Sequence, residues 1–543
     1  MDRLSRGPAG FLALALVAGC AGGRPADVRS GPSAHGASGG DPATTAPTPL
    51  YGNLGPHSRP IVTSSDRAQA YFDDGLLFMY AFGTGSALES FRAARDEDPG
   101  CAACWWGEAW ALSPYLNGGM GADAERRAYD AIREAETRAG RASEVEGALI
   151  EAFTVRYEAE PTPERRKALD SLYARRMGEV AERFPDDLDV QTLWAEALML
   201  LRPRRGSVDL DAPDVRRILP ILEGVLARDI RHPGACHLYI HLVEASSEPV
   251  RGEACADHLG DAIAVSHVRH MPSHVYMNIG RYGDAVRGNQ RAWHADQMAA
   301  HGGPPGVYPS HNLHMLLSAA VLDGQSAVAI QAARDLAREQ PAWAWYVPVT
   351  LSIFGRWTEV LELGTEPEDP FQGAMWRYAR GMAHLRTGDP AAAAADLARL
   401  DEIRAALPPD GRFRFHDQAT LLGLPRGILA AEIARAAGRD DEALALLEDA
   451  IAVEDGLVYD EPEPWHLPAR HVLGAILLDM DRAKRAEIVY REALEDHPGS
   501  GWALFGLARA LDAQGKRTEA RETRVAFQQA FGRADIWLRA SRF

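Results

Sequence analysis

The sequence predicts an all-α fold, a right-handed solenoid of antiparallel helix pairs that follows a disordered N-terminal tether. Three observations support this prediction. Helical patterns recur with a period of about 34 residues. Small residues recur at two fixed positions of the period, and a proline recurs near its end. Small side chains let two helices approach closely and proline stops the second helix, so each period describes one helix pair.

The clearest copy of the repeat begins at Ala68. Its small residues Gly75 and Ala87 lie at positions 8 and 20 of a 34-residue frame, and Pro99 lies at position 32. Apolar side chains at positions 11, 24 and 27 fill the space between the two helices: Phe78, Phe91 and Ala94. This pattern resembles the tetratricopeptide repeat (TPR). Similar frames begin at Ser310, Leu467 and Gly501.

Composition and the repeat together predict the domain organisation. Residues 1–19 are predicted to be a signal peptide, and residues 20–65, rich in Gly, Ser and Pro, a flexible tether. Residues 66–543 hold about ten helix-pair units. Two segments depart from the period: a helical insertion at about 113–165 and a Gly/Pro-rich loop at about 299–310. Such loops on a rigid solenoid commonly shape a binding surface.

The N-terminus has the features of an export signal. Arg3 and Arg6 precede the apolar run "FLALALVAG" at residues 11–19, which is too short to span a membrane. The run ends in "VAGC", residues 17–20, which resembles a bacterial lipoprotein box. The resemblance implies lipidation of Cys20 and, since no aspartate follows it, a place in the bacterial envelope at the outer membrane, facing the periplasm. A plain secretory signal is the alternative.

The net charge of the chain limits the classes of molecule that it is expected to bind. The chain has 58 lysines and arginines and 76 aspartates and glutamates, so its formal net charge is −18. A nucleic-acid-binding protein needs a basic face, and this composition argues against one. We expect protein or peptide partners in the concave groove of the solenoid, and membrane contact through the lipid anchor only.

Four cysteines remain besides the lipidation site. Cys101 and Cys104 form a CxxC motif, which we interpret as a disulfide at the start of a helix or as two small buried residues. A c-type haem site needs a histidine directly after the second cysteine, where this chain has a tryptophan. Cys236 and Cys255 fall in the two helices of one unit, and the sequence leaves their pairing open.

Histidine is concentrated in one part of the chain. Eleven of the 18 histidines lie between His232 and His314. Imidazole is the commonest neutral metal ligand, so this concentration indicates a metal site. Helical spacing places several of the side chains on common faces, at i, i+4 and i+7 or at i and i+3. The candidate ligands are His237, His241, Glu244, His270, His274, His311 and His314.

The repeat frame gives a second indication. In TPR proteins, positions 2, 5, 9, 12 and 13 of each first helix line the concave groove, and all but one of the candidates fall at such positions in three consecutive units. The exception is His241, at position 6, which is expected behind the groove. His267 is either a further ligand or a surface residue. Ordinary packed or capping roles are predicted for His232, His258, His294 and His301.

Several segments resemble one group of bacterial TPR proteins. They include "DPGCAACWWGEAWAL", "HPGACHLYIHLVEAS", "HMPSHVYMNIGRYGDA" and "HNLHMLLSAA", and the resemblance covers nearly all of residues 66–530. It implies an architecture and no particular chemistry. No P-loop, GxSxG elbow or dinucleotide fingerprint occurs in the sequence, so other common enzyme classes gain no support.

Two hypotheses of function follow from the sequence. The first is a lipid-anchored TPR scaffold that binds proteins or peptides. The second is a metal-binding protein or metalloenzyme, with copper, zinc or iron in the groove. Five or six imidazoles exceed the ligands of one tetrahedral zinc ion, so copper, two metals or a site with spare ligands are the alternatives.

Overall fold

The computed structural model describes residues 47–160, 162–203 and 206–543, all within one packed unit. The signal peptide predicted for residues 1–19 and the lipidation site at Cys20 lie outside the described residues. Within the described ranges, no helix is both long and apolar enough to cross a membrane. Helices account for most of the residues in these ranges and strands for very few, which confirms the all-α prediction.

Helices follow one another along nearly the whole described chain. The first group is α1 (Asp66–Tyr80), α2 (Thr84–Glu97), α3 (Ala102–Ala111), α4 (Ala122–Arg138), α5 (Glu144–Thr154), α6 (Pro163–Arg183), α7 (Leu188–Met199), α8 (Val215–Arg228) and α9 (Pro233–Val243). The second group is α10 (Glu253–Leu259), α11 (Ser266–His270), α12 (Pro272–Asn278), α13 (Tyr282–Met298), α14 (Pro309–Leu322), α15 (Ser326–Glu339), α16 (Tyr346–Ile353) and α17 (Trp357–Glu362).

The C-terminal part continues the same architecture. Its helices are α18 (Pro370–Arg386), α19 (Pro390–Ala406), α20 (Gln418–Leu421), α21 (Gly423–Ala436), α22 (Asp440–Asp455), α23 (Ala469–Asp479), α24 (Ala483–Asp496), α25 (Gly501–Ala513) and α26 (Arg517–Ala530). Short 3₁₀ turns lie at Ala139–Arg141, Pro249–Gly252, Ala299–His301 and Pro341–Trp343. An antiparallel hairpin of β1 (Arg412–Phe413) and β2 (His416–Asp417) pairs Arg412 with Asp417 and Phe413 with His416.

A contact between glycine and an aromatic ring sets the close approach of paired helices. Gly75 of α1 lies against the ring of Phe91 of α2, and a Cβ on Gly75 would be 2.6 Å from that ring. Gly107 of α3 contacts the same ring, so Phe91 packs against a glycine of its own pair and a glycine of the next helix. The arrangement recurs at Gly474, Tyr490 and Gly506. These are the small and aromatic positions that the repeat predicts.

Residues 47–65 form an N-terminal strap that packs on the helices. Leu54 is 1% exposed. Arg59 forms ion pairs with Asp187, the N-cap of α7, and with Asp189 in the first turn of that helix. The backbone amide of Val62 donates to Glu146 of α5. Residues 47–65 of the segment predicted to be a flexible tether are therefore packed against the helices, which corrects the predicted bound at residue 65. Polar and Gly/Pro-rich composition concealed these few anchoring side chains.

Two disulfides join the four remaining cysteines. Cys101, the N-cap of α3, is bonded to Cys104, which is one of the two alternatives that the CxxC motif allows. Cys236 of α9 is bonded to Cys255 of α10, the pair that the sequence leaves open. The second disulfide ties α10 to α9, the helix that carries His237 and His241.

The C-terminal helices contact the middle of the chain. The indole nitrogen of Trp502 donates to the carbonyl of Val321 at 2.9 Å, and Arg533 forms an ion pair with buried Asp323. Solenoid units contact only their neighbours along the chain, so these contacts close the structure beyond what the repeat requires. The loop at 456–468, between α22 and α23, also reaches the middle of the chain, where Glu461 approaches His274.

Candidate metal centre

Helices α9, α11, α12 and α14 bring six histidines together in the interior. We call them the histidine cluster: His237, His241, His267, His270, His274 and His311. Four of the six are 3% exposed or less, so they are enclosed rather than displayed on an open groove. The repeat frame places His241 behind the groove and leaves the role of His267 open. Both lie inside the cluster.

The cluster divides into two triads. The first triad consists of His237, His241 and His267, and the second of His270, His274 and His311. Within each triad, one ring nitrogen from each residue lies within 4.8 Å of the other two. Ligands of a tetrahedral ion with metal–nitrogen bonds of about 2.0 Å are about 3.3 Å apart, so small side-chain movements would close either triad around an ion.

The stretch "HVRHMPSH", residues 267–274, contributes to both triads because it spans a helix junction. Helix α11 ends at His270, and α12 begins at Pro272. Proline at the first position of a helix has no N–H to leave unpaired, so the chain restarts a helix there without loss. The junction presents His267 to the first triad and His270 and His274 to the second.

Fixed acceptors set the orientation of two rings. Nδ1 of His237 lies 2.6 Å from the carbonyl oxygen of Tyr80, and Nδ1 of His270 lies 2.7 Å from Oδ1 of Asn289. The Asn289 amide nitrogen donates to the carbonyl of Ala285, which leaves Oδ1 as the acceptor facing His270. Since a carbonyl oxygen only accepts, Nδ1 of each ring carries the proton and Nε2 presents a lone pair.

Glu244 orients one ring in each triad. Its Oε1 lies 2.8 Å from Nδ1 of His241, and its Oε2 lies 2.5 Å from Nδ1 of His274. Glu461, from the loop at 456–468, approaches the same His274 nitrogen at 3.3 Å. Burial alone would raise the pKa of Glu244, but His274 and His241 hold that pKa below its ordinary value. The carboxylate is therefore charged, and it accepts from both rings.

The ring nitrogens that face inward have few partners. Nε2 of His237, Nε2 of His241 and both nitrogens of His267 are buried and have no hydrogen-bond partner. In the second triad, Nε2 of His270 lies 2.7 Å from Nε2 of His274. In His237 and His241 the outer nitrogen is held and the inner nitrogen has no partner, which is the arrangement that metal-binding histidines adopt.

Burial and mutual repulsion keep most of the cluster neutral. Burial lowers the pKa of His237, His267 and His270, and neighbouring imidazoles lower it further. The pKa of His311 is lowered in the same way. Although burial alone would lower it, Glu244 and Glu461 raise the pKa of His274 to about 10. His274 therefore carries a proton that it donates to His270, and an ion bound at the second triad would displace that proton.

Aromatic residues wall the first triad. The ring of Phe82 lies 4.1 Å from His237 and 5.6 Å from His241 between centroids, and the ring of Tyr308 lies 4.9 Å from His267. The Tyr308 hydroxyl is 2.8 Å from that of Tyr115. Phe82 and Tyr308 both have φ of 57°, a left-handed conformation that is strained for bulky residues and concentrates at functional sites.

His314, a predicted ligand, is in neither triad. Arg414 donates to its Nδ1 at 3.1 Å, and its Nε2 lies 3.0 Å from Nε2 of His466. Arg414 is paired in turn with Asp460 at 2.5 Å. Because a guanidinium only donates, Nδ1 of His314 accepts and its Nε2 donates to His466. Helical spacing placed His311 and His314 on one face, but the two rings serve different networks.

A third group of close donors lies under the N-terminal strap. His57 and His232 place their Nε2 atoms 3.0 and 3.2 Å from Oδ1 of Asp189, and Arg59 pairs with the same carboxylate. Nδ1 of His232 accepts from the amide of Ala235 and caps α9, the kind of role predicted for it. The guanidinium already supplies the positive charge, so we interpret this group as an ion-pair network.

A cavity with a volume of about 160 Å³ opens beside His274. Carboxylates and aromatic residues form much of its wall, including Tyr459, Glu461, Glu463, Trp465 and His466. Of the histidine cluster, only His274 lines this cavity. The second triad therefore has a route for a small molecule, whereas the first triad lies beneath its aromatic wall.

Sequence reasoning missed several residues around the cluster. Asn289 lies on a second helix of a pair, outside the groove positions, and Phe82 lies about 150 residues before the first triad in the chain. Glu461 and His466 come from a loop that no spacing connects to the cluster. The sequence contains one weak sign that His466 is functional: it is a polar residue between apolar residues just before α23.

Comparison with known proteins identifies the repeat. A family model described as tetratricopeptide repeat matches residues 477–523, from α23 into α26. This part of the chain is a tetratricopeptide repeat. The match falls on the helix pairs where Gly474, Tyr490 and Gly506 make the glycine–aromatic contact. TPR arrays suggest a scaffold for protein interactions.

Solved structures share limited similarity with this TPR protein. A Podospora anserina kinesin-light-chain variant with TPR-like repeats is 18% identical, covers 44% of this chain and 95% of its own, and gives a TM-score of 0.23. Ypp1 is 10% identical over 84% of this chain and 75% of its own, with a TM-score of 0.40. The Cut9–Hcn1 assembly is 14% identical over 86% and 76%, with a TM-score of 0.28. No curated protein matches the chain.

Proposed function

We propose that this TPR protein binds transition-metal ions at the histidine cluster. One observation carries the proposal: His237 and His241 donate from Nδ1 to fixed acceptors, and their buried Nε2 atoms have no hydrogen-bond partner. A buried acceptor without a donor costs about 1–3 kcal/mol, and several of them lie together here. A metal ion that accepts these lone pairs removes that cost.

The surroundings of the rings also support metal binding. A histidine that binds a metal usually donates its other ring N–H to a carboxylate or a carbonyl, which fixes the tautomer and raises the basicity of the ligand. Tyr80 supplies such a carbonyl, Asn289 a side-chain amide oxygen and Glu244 a carboxylate shared by two rings. Ordinary packed histidines have no need of this repeated arrangement.

The donor set favours copper, zinc or iron, because these ions accept neutral imidazole readily. Three protein ligands leave a tetrahedral ion with one position for water or substrate, as in catalytic rather than structural sites. The cavity beside His274 provides access to such a position. A metal-dependent oxidase or hydrolase is the class of enzyme that this arrangement would support.

Metal content tests this proposal directly. We expect at least about one ion per chain in protein made without a polyhistidine tag and reconstituted separately with zinc, copper and iron. The double variant His237→Ala/His270→Ala removes one ligand from each triad and should lose most of the metal. His294→Ala/His301→Ala is the matched control, since both side chains are exposed. Wild-type protein with less than about 0.2 ion per chain would contradict the proposal.

We also propose, from the sequence, that the protein is a lipid-anchored scaffold of the bacterial envelope. The "VAGC" box at residues 17–20 supports the anchor, and the TPR array supports binding of protein or peptide partners. Because the histidine cluster is buried, partners would bind other parts of the concave surface. Cys20→Ser should release the protein from the membrane fraction, whereas Cys101→Ser should not. A Cys20→Ser variant that stays in the membrane fraction argues against the anchor.

A further inference from the structure

We propose that the histidine cluster is a two-metal centre in which each triad holds its own ion, an inference that rests on the metal binding proposed above. The two triads share no residue, and each supplies three imidazoles. A tetrahedral ion accepts four ligands, so six converging imidazoles exceed the need of one ion. Two ions with three protein ligands each account for all six.

Ring separations show that the two triads adjoin. Between the triads, the ring centroids of His267 and His270 are 5.7 Å apart, and those of His241 and His274 are 6.0 Å apart. Distances within a triad cover a similar span, from 4.5 Å between His270 and His311 to 6.4 Å between His241 and His267. The triads are therefore distinguished by their ring nitrogens, which lie within 4.8 Å of one another inside each triad.

Glu244 links the two centres. One carboxylate oxygen accepts from a ring of the first triad, His241, and the other faces a ring of the second, His274. Two cations in a buried space need nearby negative charge, because burial strengthens their repulsion. Glu244 supplies one negative charge between the triads, and Glu461 adds another on the side of the second triad.

The two positions differ in access. Phe82 and Tyr308 cover the first triad, whereas His274 of the second triad borders the cavity. Substrate, in an enzyme built on this centre, would reach the second ion from the cavity.

Stoichiometry of the wild-type chain is the first test. Tag-free protein is titrated with Zn²⁺ alone, desalted and measured by elemental analysis, and we expect two ions per chain. One ion per chain would overturn the two-metal inference and leave the proposed function standing. No bound ion would overturn both.

Triad variants provide the second test. His237→Ala/His241→Ala and His270→Ala/His311→Ala should each retain one ion, and the exposed control His294→Ala/His301→Ala should retain two. Loss of both ions from a folded variant of either triad, with circular dichroism unchanged, would show one shared site and overturn the inference. If an alanine pair prevents folding, the wild-type stoichiometry still decides between one ion and two.

Discussion

At the scale of single residues, the partner of each Nδ1 decides what an imidazole can do. His270 faces an asparagine whose own amide is committed to a backbone carbonyl, so Nε2 of His270 is left to face inward. His314 meets the reverse situation, because Arg414 donates to its Nδ1. Both rings are fully buried, and of the two only that of His270 is a ligand in the proposed metal centre.

Asn289→Ala should weaken zinc binding about 10–100-fold, because the variant leaves the buried Nδ1–H of His270 without an acceptor. Asn289→Asp keeps an oxygen at the same place and should restore most of the affinity. Competition against a chromophoric chelator measures both. An alanine variant that binds zinc like the wild type would mean that Asn289 does not position a ligand.

At the scale of elements, the spacing between paired helices depends on glycine. The Phe91 ring occupies the place where a larger residue at Gly75 would project, and Gly107 continues the same contact to α3. Gly85, at the exposed start of α2, has no atom within 4 Å of its missing Cβ. Within one helix pair, therefore, Gly75 has no room for a side chain and Gly85 has room for one.

Gly75→Ala should destabilise the fold by about 1–3 kcal/mol, because the added methyl group overlaps the Phe91 ring in a packed core. Gly85→Ala should instead be neutral or stabilise it by up to about 1 kcal/mol, since alanine is the better helix former. Urea denaturation of both variants beside the wild type makes the comparison. Equal midpoints for the two variants would rule out the close approach at Gly75.

At the scale of the whole molecule, contacts distant in sequence hold the array together. Asp189 holds the N-terminal strap, because its carboxylate pairs with Arg59 and His57 of the strap. The same carboxylate contacts His232 and accepts a hydrogen bond from Tyr80, and Asp187 forms a second ion pair with Arg59. Burial alone would raise the pKa of Asp189, but the hydrogen bonds and charges of His232 and His57 hold that pKa well below its ordinary value.

Asp189→Asn should destabilise the protein by about 3 kcal/mol at neutral pH, because Arg59 keeps only Asp187 as a charged partner and a buried hydrogen-bond network loses its carboxylate. A carboxyl with a depressed folded pKa contributes stability above its unfolded pKa of about 3.9 and loses it as the pH falls further. The difference between wild type and variant should therefore shrink below about pH 4 in thermal denaturation.

Asp186→Asn is the control for this measurement. The Asp186 side chain is 94% exposed and pairs only with Arg228 at the surface. Its loss should change stability by less than about 0.5 kcal/mol at any pH. A similar effect of both substitutions would show that the strap is not held through Asp189.

The sequence predicted features that depend on neighbours along the chain. The repeat placed Gly75 and Phe91 in contact because both belong to one helix pair. The concentration of histidine in residues 232–314 likewise indicated a metal site, since ligands three or four residues apart share a helix face. The repeat period also assigned the candidate histidines to three consecutive units, and these units supply most of the cluster.

By itself, the sequence determined the all-α TPR architecture and the segment that carries the histidines, because both follow from spacing along helices. Only the tertiary structure decided that His241 and His267 join the cluster while His314 leaves it for His466 and Arg414. It also decided that Glu461 approaches His274. The physical reason is that the direction of a ring depends on hydrogen-bond partners supplied by distant helices and loops, and helical periodicity carries no information about them.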